Sequence, residues 1–244
     1  MIIFQRDILY VPFAGPTEPL KAGLNGFERR AFTARDGQTI PYWERPSTTS
    51  PITILYLHGN GGGLHAFVPY LESFLKEDFR VVAMEYRGYP GAPPHSTQKG
   101  IVSDAVTLFD KLQAESGQPV VIWGYSLGSG VAMQLAAQRK AHKIVLEAPF
   151  YSAVSLGQRR FPIFPVYLLM LDQYRSDRAM AKVTAPVMII HGGNDSIVPD
   201  SQGRRLAALA PERTTFKFYP EASHFDLFER GAYPDVFAWL KSRQ

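Results

Sequence analysis

A chain of 244 residues without cysteine can hold no disulfide, thiolate metal site or cysteine nucleophile, yet is long enough to bury one substantial core. Its net charge of +4 is spread over basic pairs, Arg29/Arg30, Arg159/Arg160 and Arg204/Arg205, rather than one long run, which argues against nucleic acid as a partner. The apolar start, Met1 to Phe4 before Gln5, Arg6 and Asp7, is too short for a signal peptide or a membrane span, so a cytoplasmic protein is expected.

Short β-branched or aromatic runs predict eight strands: Arg29 to Thr33, Ile40 to Glu44, Ile52 to Leu57, Phe79 to Glu85, Val120 to Trp123, Lys143 to Leu146, Val187 to Ile190 and Thr215 to Tyr219. Helical spacing falls between the later ones, at Leu64 to Lys76, Lys99 to Glu115, Leu127 to Arg139, Gln202 to Leu209 and Tyr233 to Lys241. Asp36-Gly37 between the first two strands suits a hairpin, after which alternation of strand and helix implies a mostly parallel sheet covered on both faces. This is an α/β chain, read as one domain over residues 1–244. Residues 149–186 break the alternation after the sixth strand and are expected to form a short cap.

Gly124-Tyr125-Ser126-Leu127-Gly128 follows a strand and opens a helix. Glycines two residues either side of a serine permit a sharp turn that lifts the hydroxyl clear of the sheet, at a helix N-terminus that favours developing negative charge. Ser126 is therefore the candidate nucleophile; an ordinary tight turn with a capping serine is the bland alternative. The glycine-rich stretch Leu57 to Gly63 lets main-chain amides approach a substrate. With the amide of Leu127, one from Asn60 or Gly61 is expected to form an oxyanion hole. The stretch lacks the Lys-Ser/Thr ending of a phosphate loop.

Asp195, in the glycine-bounded turn after the strand Val187 to Ile190, suits the acid that orients an imidazole, ahead of Asp200 and Glu147. His224, between the last strand and the last helix, suits the general base and completes the order Ser, Asp, His. His58 is expected to support the glycine loop through hydrogen bonds. His191 ends a strand, and His65, His95 and His142 have no evident partner; no spacing suggests a metal site and no cofactor is expected. Phe150, Tyr151, Phe161 and Phe164 of the cap are candidates to line a substrate pocket, with core packing as the alternative.

These residues resemble the α/β-hydrolase family, over Arg29 to Lys241, with the small-cap bud-emergence-type branch most similar. The resemblance rests on Leu-His-Gly-Asn-Gly at 57–61, Tyr-Arg-Gly-Tyr at 86–89, the elbow at 124–130, Glu-Ala-Pro-Phe at 147–150 and His-Gly-x-x-Asp-x-x-Val-Pro at 191–199. It implies an α/β-hydrolase fold, with Ser126, Asp195 and His224 as triad and Leu127 with Asn60 or Gly61 as oxyanion donors. That branch often carries an N-terminal membrane anchor, which the start of this sequence is read as lacking. After Tyr89 the run Pro-Gly-Ala-Pro-Pro also replaces the usual continuation.

The expected activity is hydrolysis of a small-molecule acyl ester or thioester through an acyl-enzyme. A peptidase using the same triad is the rival within enzymes, and a non-catalytic binding module the rival outside them. Arg159, Arg160 and the segment Phe161 to Phe164 combine charge and aromatic character in a way that suits weak peripheral contact with a membrane.

Overall fold

The computed structural model describes residues 5–47 and 49–242; residues 1–4, the short apolar start discussed above, lie outside them. The chain opens with helix α1 (Gln5–Leu9) and strand β1 (Val11–Pro12), followed by β2 (Glu28–Thr33), β3 (Thr39–Arg45), β4 (Thr53–Leu57) and β5 (Gly61–Gly62). Next come α2 (Val68–Ser73), β6 (Arg80–Met84), α3 (Gln98–Ser116), β7 (Val120–Tyr125), α4 (Leu127–Ala136) and β8 (Ile144–Glu147). Three short helices, α5 (Ala153–Arg160), α6 (Val166–Leu169) and α7 (Ser176–Met180), precede β9 (Val187–Gly192), α8 (Asp200–Ala207), β10 (Thr214–Tyr219) and α9 (Ala232–Lys241).

Eight strands form one sheet in the order β10-β9-β8-β7-β4-β6-β3-β2. The pairs β2/β3 and β3/β6 are antiparallel and the others parallel. The β2/β3 hairpin turns at Asp36-Gly37, where Gly37 takes a left-handed φ of +81° that a side chain would disfavour.

Alternate side chains of the central strands feed two cores. Leu55, Leu57, Val82, Met84, Ile122 and Leu146 meet α3, α4, α7 and α8 on one face; Ile54, Tyr56, Val81, Trp123, Val145 and Met188 meet α2 and α9 on the other. Strands apolar on both faces belong in the middle of a covered parallel sheet, as their near-continuous Val/Ile/Leu runs require. No described helix is long and apolar enough to cross a membrane.

The run expected as one helix over Leu64 to Lys76 is divided. A 3-10 turn at Leu64–Phe67 leads into α2 and another, at Phe74–Lys76, leaves it. Pro69 stands in the first turn of α2, where its missing N–H costs nothing, but it cannot continue a helix from before. Helix α4 ends three residues short of the expected Arg139.

Helix α5 was not anticipated; its capping box pairs Ser152 with Ser155, each side chain accepting the other's main-chain N–H, rather than with the usual Glu or Gln. Nor were α1 and β1. Arg6 of α1 donates to Asp172 at 2.8 Å and the Tyr10 and Tyr174 hydroxyls meet at 3.0 Å, while β1 pairs in parallel with β5 in the glycine loop.

Candidate active site

The carboxyl ends of β4, β7, β9 and β10 bring the candidate residues to one edge of the sheet, which flanks the point where chain order reverses about β4. Ser126 sits between β7 and α4 with φ +50° and ψ −113°, a conformation that costs a non-glycine residue roughly 1–3 kcal/mol. The flanking glycines make it possible. A Cβ at Gly124 would fall 2.3 Å from the carbonyl oxygen of Gly128, and one at Gly128 only 1.9 Å from that of Leu57. The strained turn is held by Ser126 N–H donating to Glu147 O at 2.9 Å, and by Ser129 Oγ donating to Ser126 O at 2.6 Å. Ser126 occupies the N-cap position of α4 without a side-chain cap bond. Its hydroxyl lies 3.0 Å from His224 Nε2 instead.

His224 Nδ1 lies 2.7 Å from Asp195 Oδ2, so the ring bridges hydroxyl and carboxylate. Since the carboxylate only accepts, the neutral ring carries its proton on Nδ1 and presents a bare Nε2 to the serine. All three side chains are buried, with Ser126 9% exposed, Asp195 6% and His224 4%. Burial drives the Asp195 carboxyl upward, but the ring N–H groups of His191 and His224 and the amide of Val198 outweigh it and hold the group at about 2. Oδ1 accepts from Ile197 N at 3.0 Å and Val198 N at 2.7 Å, leaving Oδ2 for the imidazole.

Two tyrosines fix the histidine loop from below. Tyr125 OH donates to His224 O at 3.0 Å, and Tyr70 OH to Phe225 O at 2.8 Å. Burial pushes both phenols well above their ordinary value, so they remain donors.

Leu127 opens α4, where its N–H has no intrahelical acceptor. Asn60 and Gly61 lie in the glycine loop, with Asn60 O accepting from Val11 N at 3.1 Å and from Tyr89 OH at 2.7 Å. His58 is fully buried behind this loop and does bond to it, through Gly59 O. The role of His191 was missed: its Nε2 lies 2.8 Å from Val198 O and 3.5 Å from Asp195 Oδ2, which steadies the Asp195 turn. The i, i+4 spacing of the two residues was the available signal.

The aromatic candidates between β8 and β9 do not act as a group. Phe150 is buried and packs against α4 so closely that a Cβ at Gly130 would fall 2.6 Å from its ring, the core packing that the sequence left as the alternative. Tyr151 lies under the Arg205 guanidinium at 4.1 Å, and Phe161 and Phe164 occupy the turn between α5 and α6. A cleft of about 410 Å³, lined by residues such as Lys99, Gln134 and Asp172, lies against α3 and α4 and includes none of the three bridged residues. Among the described residues, no cluster of three or more His, Cys, Asp or Glu could hold a metal ion.

Residues 52–179 match a family described as the alpha/beta hydrolase fold, and residues 158–231 one described as serine aminopeptidase, S33. An uncharacterized protein of Mycobacterium tuberculosis is 32% identical over 227 residues, spanning 91% of this chain and 81% of its own length. The lysophosphatidylserine lipase ABHD12 of Macaca fascicularis is 30% identical over 203 residues, covering 74% of this chain but 51% of that protein. Among solved structures, the esterase Pf2001 of Pyrococcus furiosus superposes with a TM-score of 0.74 at 18% identity, over 96% of this chain and 97% of its own, a likeness of fold.

Proposed function

The chain belongs to the α/β-hydrolase fold family, and on that premise we propose that it is a serine hydrolase cleaving a carboxylic ester or thioester through an acyl-enzyme on Ser126. The observation that carries this reading is the unbroken pair of hydrogen bonds, 3.0 Å and 2.7 Å, from Ser126 Oγ through His224 to Asp195. As Oγ attacks the acyl carbon, Nε2 of His224 takes its proton, and the imidazolium that forms faces an Asp195 carboxylate held ionised. The tetrahedral oxygen is received by the N–H of Leu127 together with that of Asn60 or Gly61, preorganised donors that need not reorient. His224 then returns the proton to the leaving alcohol or thiol, and water repeats the sequence in reverse roles to free the acid.

Relatives named esterase and lipase support an ester. The match of residues 158–231 to a serine aminopeptidase family favours a second reading, hydrolysis of an amide at a peptide N-terminus by the same triad. Fluorophosphonate labelling with peptide mapping, on wild type and Ser126→Ala, tests the nucleophile. Graded p-nitrophenyl esters set against aminoacyl p-nitroanilides separate the two substrate classes. Labelling at Ser126 with ester turnover is the expected result; a folded wild type that neither labels nor turns over either substrate would overturn the catalytic reading and leave a binding module.

A further inference from the structure

Of the glycines that follow His58, three have a reason within the chain. A Cβ at Gly59 would fall 3.0 Å from the Tyr125 ring, and one at Gly63 2.9 Å from both Glu85 Oε2 and Pro90 Cδ. Gly62 takes a left-handed φ of +82°, and its Cβ would meet the Phe13 ring at 2.7 Å. Gly61 has no such reason: its φ lies outside the left-handed region, and a Cβ built on it would have no neighbour within 4 Å among the described residues. A glycine that neither conformation nor packing requires is explained where something outside the chain approaches its main chain closely.

The surroundings of Gly61 fit a substrate. Gly128 of α4 abuts the main-chain oxygens of Leu57 and His58, so the loop leaves β4 beside the Ser126 turn. In the sheet, β4 lies on one side of β7, which leads to Ser126, while β9 and β10, which lead to Asp195 and His224, lie on the other. His224 must give its proton to the leaving oxygen, which puts the leaving group on the His224 side. The acyl group, the other substituent of the reacting carbon, is left the direction of the loop. There Gly61 pairs with Val11 of β1, and Val11 is 44% exposed and Phe13 54% exposed. Uncovered apolar side chains beside bare main chain suit a hydrocarbon chain rather than a charged acyl group.

We propose that Gly61 is kept bare for the substrate: the acyl group of the ester crosses the loop over Gly61 and packs against Val11, and these two residues set the length of unbranched alkyl chain that the enzyme accepts. The proposal rests on the serine-hydrolase reading above and names the acyl class of that same site. A side chain at 61 would stand where the chain of the substrate passes, and loss of the Val11 methyls would remove the surface it lies on.

Two ester series test it, on wild type, Gly61→Val and Val11→Ser. Ethyl acetate, butyrate, hexanoate and octanoate lengthen the acyl group; butyl, hexyl and octyl acetate add the same methylenes to the alcohol. The ratio of long to short ester within each protein removes any change that Gly61→Val makes to the oxyanion hole itself, since that bears on every ester alike. Wild type is expected to favour the longer acyl groups. Gly61→Val should lower kcat/KM for ethyl octanoate relative to ethyl acetate about tenfold or more, the scale on which apolar pockets discriminate, with the ratio of octyl to ethyl acetate held within about twofold. Val11→Ser, at an exposed position, should lower the same acyl ratio severalfold. An acyl ratio unchanged in Gly61→Val, or a loss that follows the alcohol series instead, would overturn the proposal and leave the hydrolase reading intact. Should Gly61→Val not fold, an unchanged ratio in Val11→Ser overturns it. A folded wild type that hydrolyses none of the esters would overturn both.

Discussion

Glu147 gives the sharpest test of how burial acts in this fold. It ends β8 with its side chain wholly inside the core beneath α9, where Oε2 accepts from Trp123 Nε1 at 3.1 Å and Tyr233 OH at 3.0 Å, and Oε1 has no partner among the described residues. Burial outweighs these two donors and pushes the carboxyl up to about 7 from its usual 4.5. Between those values the folded chain holds a proton that the unfolded chain has released. Stability is therefore fullest below pH 4.5, falls as pH rises through the interval, and levels off above about 7. At about 1.4 kcal/mol for each tenfold change in proton affinity, the whole step amounts to about 3 kcal/mol. Glu147→Gln keeps an acceptor for Trp123 and Tyr233 but cannot ionise. Urea unfolding of both proteins at fixed ionic strength, at pH 4.5, 6 and 8, should show the variant gaining about 3 kcal/mol on wild type across the range. Contributions from other titrating groups cancel in that difference. Parallel stability profiles would refute the reasoning.

Asp195→Asn should lower kcat by about 10⁴ at pH 7 with KM little affected, because the amide lets His224 adopt the wrong tautomer; ester kinetics on the folded variant measure it. Gly128→Ala should destabilise by more than about 4 kcal/mol or prevent folding, since its Cβ would meet main-chain oxygen of Leu57 at 1.9 Å and of His58 at 2.7 Å, neither of which can swing aside. Circular dichroism on heating decides that case. Between β8 and β9, Arg159 and Arg160 are exposed, as are Ile163, which is 90% exposed, and Leu168, which is 68% exposed. Sedimentation with phosphatidylserine vesicles should show salt-sensitive binding that Arg159→Ala/Arg160→Ala weakens, and a lack of binding at low salt would dismiss the membrane contact.

The sheet was legible in the sequence because its strands announce themselves chemically. A strand buried on both faces must be apolar throughout, and Val120 to Trp123 or Val187 to Ile190 fit little else. The Ser126 turn was legible for a steric reason: two glycines four residues apart across a strand-to-helix junction mark where main chain must touch main chain, and Gly124 and Gly128 do. What escaped was structure made by partners distant in sequence. Strand β1 is two residues long and includes a proline, so no periodicity marks it; it exists because Gly61 and Gly62 offer it an edge. The sequence left Phe150 open between pocket and core, because its contact with α4 is made at Gly130, a position read only as part of the elbow. Likewise His58 and Glu85, 27 positions apart, become a pair only when β4 and β6 lie side by side.

The same loop shows how such distant partners bear on chemistry. Asn60 O accepts from Val11 N and Tyr89 OH, so the Asn60–Gly61 peptide is gripped on its carbonyl side as the Gly59–Asn60 peptide is gripped by His58. Each peptide's N–H then points away from its clamp, and two successive amides acquire fixed directions without any side chain of their own to hold them. Tyr89→Phe removes one of the two donors to Asn60 O while keeping the ring against His58. Loss of a buried hydrogen bond of this kind costs about 1 kcal/mol, the Val11 N–H remaining in place. If the direction of the loop amides matters to turnover, kcat should fall severalfold with KM little changed, beyond any effect of the lower stability at the assay temperature. Thermal unfolding and ester kinetics on the same preparation separate the two. A variant that unfolds earlier yet turns over at the wild-type rate would show that the Tyr89 hydroxyl only braces the fold, whereas a slower enzyme rescued in neither KM nor titrated sites would place Tyr89 among the residues that aim the loop.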